Sequence, residues 1–127
     1  MHNKNVFEYA VIRVVPKVER EEFLNVGVVL YCAKQKFLQA RFDLNIGRFN
    51  AFSAETDIEE IKKNLEAFEE ISKGSLQSGP IGMLDMASRF RWLTATRSTV
   101  LQTSKVHPGF CIHAEETLDK LFTDLVL

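Results

Sequence analysis

The stretch Arg20-Glu-Glu-Phe-Leu-Asn25-Val-Gly27-Val-Val-Leu-Tyr-Cys32 decides how the rest of the chain is read. Val26, Val28, Val29, Leu30 and Tyr31 are β-branched, aromatic or large apolar residues, which suit a pleated, largely buried surface. Neither face is cleanly polar, so Leu24 to Cys32 reads as a central strand rather than an edge. Asn25 and Gly27 break the pattern. A glycine inside a strand marks a bulge or a close approach of another backbone or a ligand. An asparagine there needs hydrogen-bond partners if it is buried. Arg20 and Glu22 stand at the strand's entry. The stretch is either a loop-to-strand entry with an ion pair and a bulge, or the rim of a polar ligand site.

Toward the N-terminus, Phe7 to Val15 is a second strand whose one basic residue is Arg13. Pro16 ends its ladder because proline has no N–H to donate. Lys17 to Glu22 is a charged connection. Toward the C-terminus, Ala33 to Lys36 is a polar break of hairpin length. Phe37 to Leu44 then alternates, with Leu38, Ala40, Phe42 and Leu44 on one face and Gln39, Arg41 and Asp43 on the other. The three runs form a mostly antiparallel meander.

Asn45 to Ala54 reads as a loop or short helix under the sheet. Thr56 and Glu59 make a capping-box pair, and Ile58, Ile61, Leu65 and Phe68 form the apolar stripe of the helix that follows. Gly74 suits the residue just past its end. Ser75 to Pro80 is a short linker, and Pro80 opens a new helix with Met83, Met86, Ala87, Phe90 and Leu93 buried and Trp92 at its end. Thr94 to Ser104 reads as a fourth strand, Phe110 to Ile112 as a short fifth, and Ala114 to Leu127 as a helix with Leu118, Leu121, Phe122 and Leu125 on one face. The expected architecture is α+β: a mostly antiparallel sheet of four or five strands with about three helices packed on one face, in a single domain over residues 1–127.

The composition bounds the function. Hydrophobic residues make up 46% and charged residues 26%, ordinary for a globular chain. Lys+Arg total 16 and Asp+Glu 17, a net charge of -1. That balance argues against bulk electrostatic binding of nucleic acid or an anionic membrane, while leaving room for a local basic patch. No apolar run approaches the ~20 residues of a membrane span. The opening Met-His-Asn-Lys-Asn has no hydrophobic signal region. Cys32 and Cys111, isolated in apolar contexts, fit free thiols of a reducing compartment, so a cytoplasmic location is expected.

Two constellations are candidates for a site. The first is Arg13, Glu22, Asn25, Gly27, Arg41 and Arg48, a set able to grip a carboxylate or phosphate if the strand register brings it to one face. The alternative is a structural ion-pair network. The second is the stretch Met86 to Ala114, which lacks Asp and Glu and carries Arg89, Arg91, Arg97 and Lys105 with Phe90, Trp92 and several hydroxyls. Those are the ingredients of a phosphate or single-stranded nucleic-acid surface. The alternative places the aromatics in the core and pairs the arginines with acidic helices. His2, His107 and His113 have no zinc-type spacing, and neither a phosphate-binding loop nor a nucleophile motif is present, so no metal, cofactor or catalytic residue is assigned.

The run Tyr9-Ala-Val-Ile-Arg13-Val-Val-Pro16, followed by Arg20-Glu-Glu22-Phe-Leu-Asn25-Val-Gly27-Val, resembles the opening of the bacterial family catalogued as domain of unknown function 3037. The strand carrying Arg41 and the tail from Ser98 into the acidic C-terminal helix are similar too. The middle, Ser53 to Thr96, matches only in helical character, and Lys17 stands where an acidic residue is expected. The resemblance carries no established activity. It implies that Arg13, Glu22, Asn25, Gly27 and Arg41 belong to the family's pattern, and it names a HipA-like kinase as an implied partner. The leading expectation is a small non-enzymatic interaction or regulatory module. The second is a phosphate-ligand or nucleic-acid binder. The third is a small enzyme with Glu22 as general base and Arg13 or Arg41 holding an anionic substrate.

Overall fold

A computed structural model describes residues 4–15, 22–52, 57–95 and 99–127, without the side chains of 50–52. Pro16, the charged connection before Glu22, Arg20, Thr56 and the segment holding Arg97 lie outside the described residues.

The meander forms as expected. Strand β1 (Asn5–Val14) pairs antiparallel with β2 (Leu24–Cys32), which pairs antiparallel with β3 (Phe37–Phe42). Two further strands lie along the other side of β1: β4 (Leu101–Thr103) beside its C-terminal end and β5 (His107–Cys111) beside its N-terminal end. The sheet is therefore five-stranded and antiparallel. The fourth strand is shorter than the expected Thr94 to Ser104. The fifth starts earlier, at His107, and its proline sits on an edge strand, where an absent N–H costs no ladder bond.

The helices are α1 (Ile46–Phe52), α2 (Ile58–Lys73), α3 (Gly79–Gly82), α4 (Met86–Leu93) and α5 (Ala114–Leu125), with a 3-10 turn at Leu76–Ser78. In α2 the cap is Asp57, one residue after the expected Thr56; its carboxylate accepts from Glu59 N and Glu60 N at 3.0 and 3.4 Å. Gly74 closes the helix in the left-handed region at φ 66°, as its position predicts. The helix expected from Pro80 to Trp92 is two helices. Asp85 caps α4 by accepting Ser88 N–H at 2.7 Å, and this new start resets the helical phase. Phe90 and Leu93 remain buried, but Met83 and Ala87 point to solvent and Arg89 turns inward.

The helices divide between the two faces of the sheet instead of sharing one. Alternate residues of a strand face opposite sides. Val29 of β2 packs with Ala10, Ile12 and Val14 of β1 against Phe49, Ile61, Leu65, Phe68, Phe90 and Leu93, from α1, α2 and α4. Val28, Leu30 and Cys32 pack on the other side with Phe7, Cys111, Ala114, Leu118 and Val126, under α5. Both faces of β2 are thus covered, which is why its sequence shows no polar face.

Gly27 is the pivot. A Cβ there would lie 2.7 Å from Arg41 O and 2.8 Å from Phe42 Cβ, so only glycine lets β3 approach this closely. Beside it the register with β1 slips: Ile12 faces Gly27, yet Arg13 faces Asn25. The extra residue, Val26, is a bulge, and it reverses the facing of everything before it. Val26 joins the α2 side, and Asn25 swings to the α5 side.

Candidate functional site

Part of the first polar set gathers around the C-terminal helix, with Asn25 turned toward it by the bulge. Asn25 Nδ2 donates to Leu125 O at 3.2 Å. Arg48 Nη1 donates to Val126 O at 2.9 Å. Those carbonyls belong to the last turn of α5, whose final C=O groups have no partner within the helix. Arg41 forms an ion pair with Asp119 on the same helix, both partly exposed. Three of the six ligand candidates thus grip the chain's own helix.

Arg13 lies on this face beside Asn25, its Cα partner across β1 and β2. Its guanidinium sits 4.0 Å over the ring of Phe23, a cation–π contact. Burial pushes it below the ordinary arginine range. Arg13 Nε and Asn25 Oδ1 are both buried without a hydrogen-bond partner. Glu22 is exposed ahead of β2. The register therefore does bring Arg13, Asn25 and Arg41 to one face, as the sequence pattern requires for a site, but Asn25 and Arg41 are already engaged by α5.

The second set is dispersed. Arg89, expected on a nucleic-acid surface, is buried, and its guanidinium donates to Ile71 O and Ser72 O at 3.1 and 2.9 Å and to Leu84 O at 3.1 Å. It ties the end of α2 to the start of α4. Arg91 makes a two-pronged pair with Glu8, at 3.0 and 2.8 Å, which raises its already high pKa. Trp92 is 40% exposed and Lys105 is exposed. Among the described residues no group of three or more His, Cys, Asp or Glu can hold a metal ion. No helix among them is long and apolar enough to cross a membrane.

A different region stands out on the side of the sheet that carries α2 and α4. Val6 and Phe110 are direct partners across β1 and β5, and they are 56% and 71% exposed. Ile112, just past β5, is 53% exposed. The helices on this side stop at the Glu8–Arg91 pair and leave this end bare. Next to Val6 a cleft of about 340 Å³ opens between the start of β1 and the β2–β3 turn, lined by Lys4, Val6, Glu8, Tyr31 and Lys34 among others. The β1–β2 register runs from Val14 opposite Leu24 to Glu8 opposite Tyr31, next to this cleft. Sequence reading missed this region, because strand alternation does not say which end of a sheet a helix leaves uncovered. The one local signal was two apolar residues, Phe110 and Ile112, flanking a buried cysteine.

The model of the family described as "Protein of unknown function (DUF3037)" matches residues 9–126. No curated protein and no solved structure matches the chain significantly. The match runs through both faces of the sheet and the C-terminal helix, and the chain belongs to the DUF3037 family.

Proposed function

We propose that the chain is a protein-interaction module that docks a separate protein on the bare end of its sheet. The observation that carries this is the Val6–Phe110 pair, two large apolar side chains facing each other across β1 and β5 and both more than half exposed. Single exposed apolar residues are ordinary, but a contiguous exposed pair with Ile112 beside it is the usual form of an interaction surface. A second copy of the chain fits less well. An isologous contact would bring Lys4 and Lys34 toward their own copies, and Pro108 removes a donor from the β5 edge that edge-to-edge pairing would use. A HipA-like kinase, the partner implied by family resemblance, is the first to test.

The experiment is co-purification of the tagged chain with a HipA-like kinase of the same source, and with host proteins at large. It compares the native chain with Val6→Ser/Phe110→Ser and with Leu76→Ser/Met83→Ser. Leu76 and Met83 are the most exposed large apolar residues elsewhere among the described residues, at 100% and 87%. One partner lost only with the first pair supports the proposal. A partner lost only with the second moves the surface to the α2–α4 connection and overturns it.

A further inference from the structure

We infer that the partner segment docking on this end is acidic as well as apolar, with a carboxylate held between Lys4 and Lys34 in the cleft beside Val6. The inference rests on the docking surface proposed above and adds the chemistry of what it takes.

The charges at this end are uneven. Three charged side chains line the cleft: Lys4 and Lys34, both positive, and Glu8, negative. Glu8 is already neutralised by the two-pronged bond from Arg91. Neither Lys4 nor Lys34 has an ion-pair partner among the described residues, and both are exposed. A chain of net charge -1 therefore presents two uncompensated positive charges beside its bare apolar pair.

The geometry joins the two features. Val6 belongs both to the apolar pair and to the lining of the cleft, so the surface runs without a break from Phe110 through Val6 to the lysines. Tyr31 forms part of the cleft wall, its ring held by Phe90 at 5.3 Å between centroids. A segment lying across this end would set an apolar side chain on Val6 and Phe110 and its neighbouring carboxylate near the lysines. Complementary charge of this kind selects partners and speeds encounter.

Two other polar groups among the described residues do not offer this. The cleft of similar size between β3 and α2 is lined by Arg41, Glu69 and Lys73, which are paired as Arg41–Asp119 and Lys73–Glu69. The cation at Arg13 is covered by Phe23 and buried at Nε.

The test pans a phage-displayed pool of random dodecapeptides on the immobilised full chain, with native, Lys4→Glu/Lys34→Glu and Val6→Ser/Phe110→Ser versions in parallel. All substitutions are at exposed positions, and unchanged thermal unfolding confirms the fold. The expected result is enrichment of peptides pairing Asp or Glu with large apolar residues. Their affinity for the native chain should fall as salt rises, and the lysine reversal should lower it roughly tenfold or more. Peptides that depend on Val6 and Phe110 but show no acidic preference, and are indifferent to the lysine reversal, overturn this inference and leave the docking surface standing. No enrichment, or enrichment indifferent to both pairs, overturns both.

Discussion

Gln35 Oε1 accepts the N–H of Ala114 at 2.9 Å, joining the β2–β3 turn to the first residue of α5 across 79 positions of sequence. The same side chain donates from Nε2 to Ile112 O at 2.8 Å and to Asn5 Oδ1 at 2.9 Å. His113, at the N-cap of α5, makes no side-chain cap bond, so Gln35 supplies it from another part of the chain. Gln35→Leu should cost about 2–3 kcal/mol, the sum of about three ordinary hydrogen bonds. Urea unfolding should show a lower midpoint with an unchanged slope, and hydrogen exchange should quicken first in the opening turn of α5. Gln35→Glu, which keeps the acceptor and loses the donors, should fall between.

Gly27→Ala should destabilise by about 1–3 kcal/mol, because the added methyl meets backbone at Arg41 O as well as Phe42 Cβ and neither can move aside without parting β2 from β3. Thermal unfolding measures this. A neutral Gly27→Ala would mean the bulge relaxes freely, and the argument that it orients Asn25 would fail.

Arg89→Met should cost more than a typical surface change, about 2–4 kcal/mol, because three carbonyls lose a charged donor and two of those bonds are buried. Arg89→Lys should recover only part, since an ammonium cannot span the three acceptors as a planar fork does. Equilibrium denaturation of the pair separates loss of charge from loss of geometry.

Arg41→Ala should change stability by less than about 1 kcal/mol, since its pairing with Asp119 is between partly exposed groups. Asn25→Ala with Arg48→Ala should matter more, because together they strip the bonds to Leu125 O and Val126 O. Exchange in the last turn of α5 should speed up in the double variant and barely change in Arg41→Ala.

Burial pushes the Cys111 thiol above its ordinary pKa, with the neighbouring Cys32 adding to the effect. The folded chain therefore holds this proton to higher pH than the unfolded chain does. The associated stability is intact below the ordinary thiol value of about 8.5 and is lost as pH rises through the raised native value. Unfolding midpoints should decline on the alkaline side, and Cys111→Val should flatten that decline. Iodoacetamide should modify the native thiols slowly at neutral pH and promptly after unfolding.

Much of the architecture was legible locally. Runs of β-branched and large apolar residues marked β1 and β2, alternation marked β3, and the stripe Ile61–Leu65–Phe68 with Gly74 marked α2. Asp85 was the missed signal in the next helix: an Asp three residues before Ser88 is an N-cap pattern, and reading through it put Met83 in the core and Arg89 on the surface. The site was legible in composition but not in role. Asn25, Arg41 and Arg48 were conspicuous polar residues, and their partners lie in α5; the Asn25 bond alone spans 100 positions.

By itself, the sequence determined the segments of β1, β2, β3, α2 and α5, that the sheet is antiparallel, and that Gly27 marks an irregularity, because side-chain patterning, caps and glycine sterics act within a few residues. Only the tertiary structure decided that α5 takes the opposite face from α2 and α4, that Asn25 turns toward it, and that Val6 and Phe110 stay bare. Asn25 depends on the phase set by one extra residue at the bulge, and Val6 and Phe110 on where distant helices stop; a strand's own pattern reads the same for either face until another element covers one.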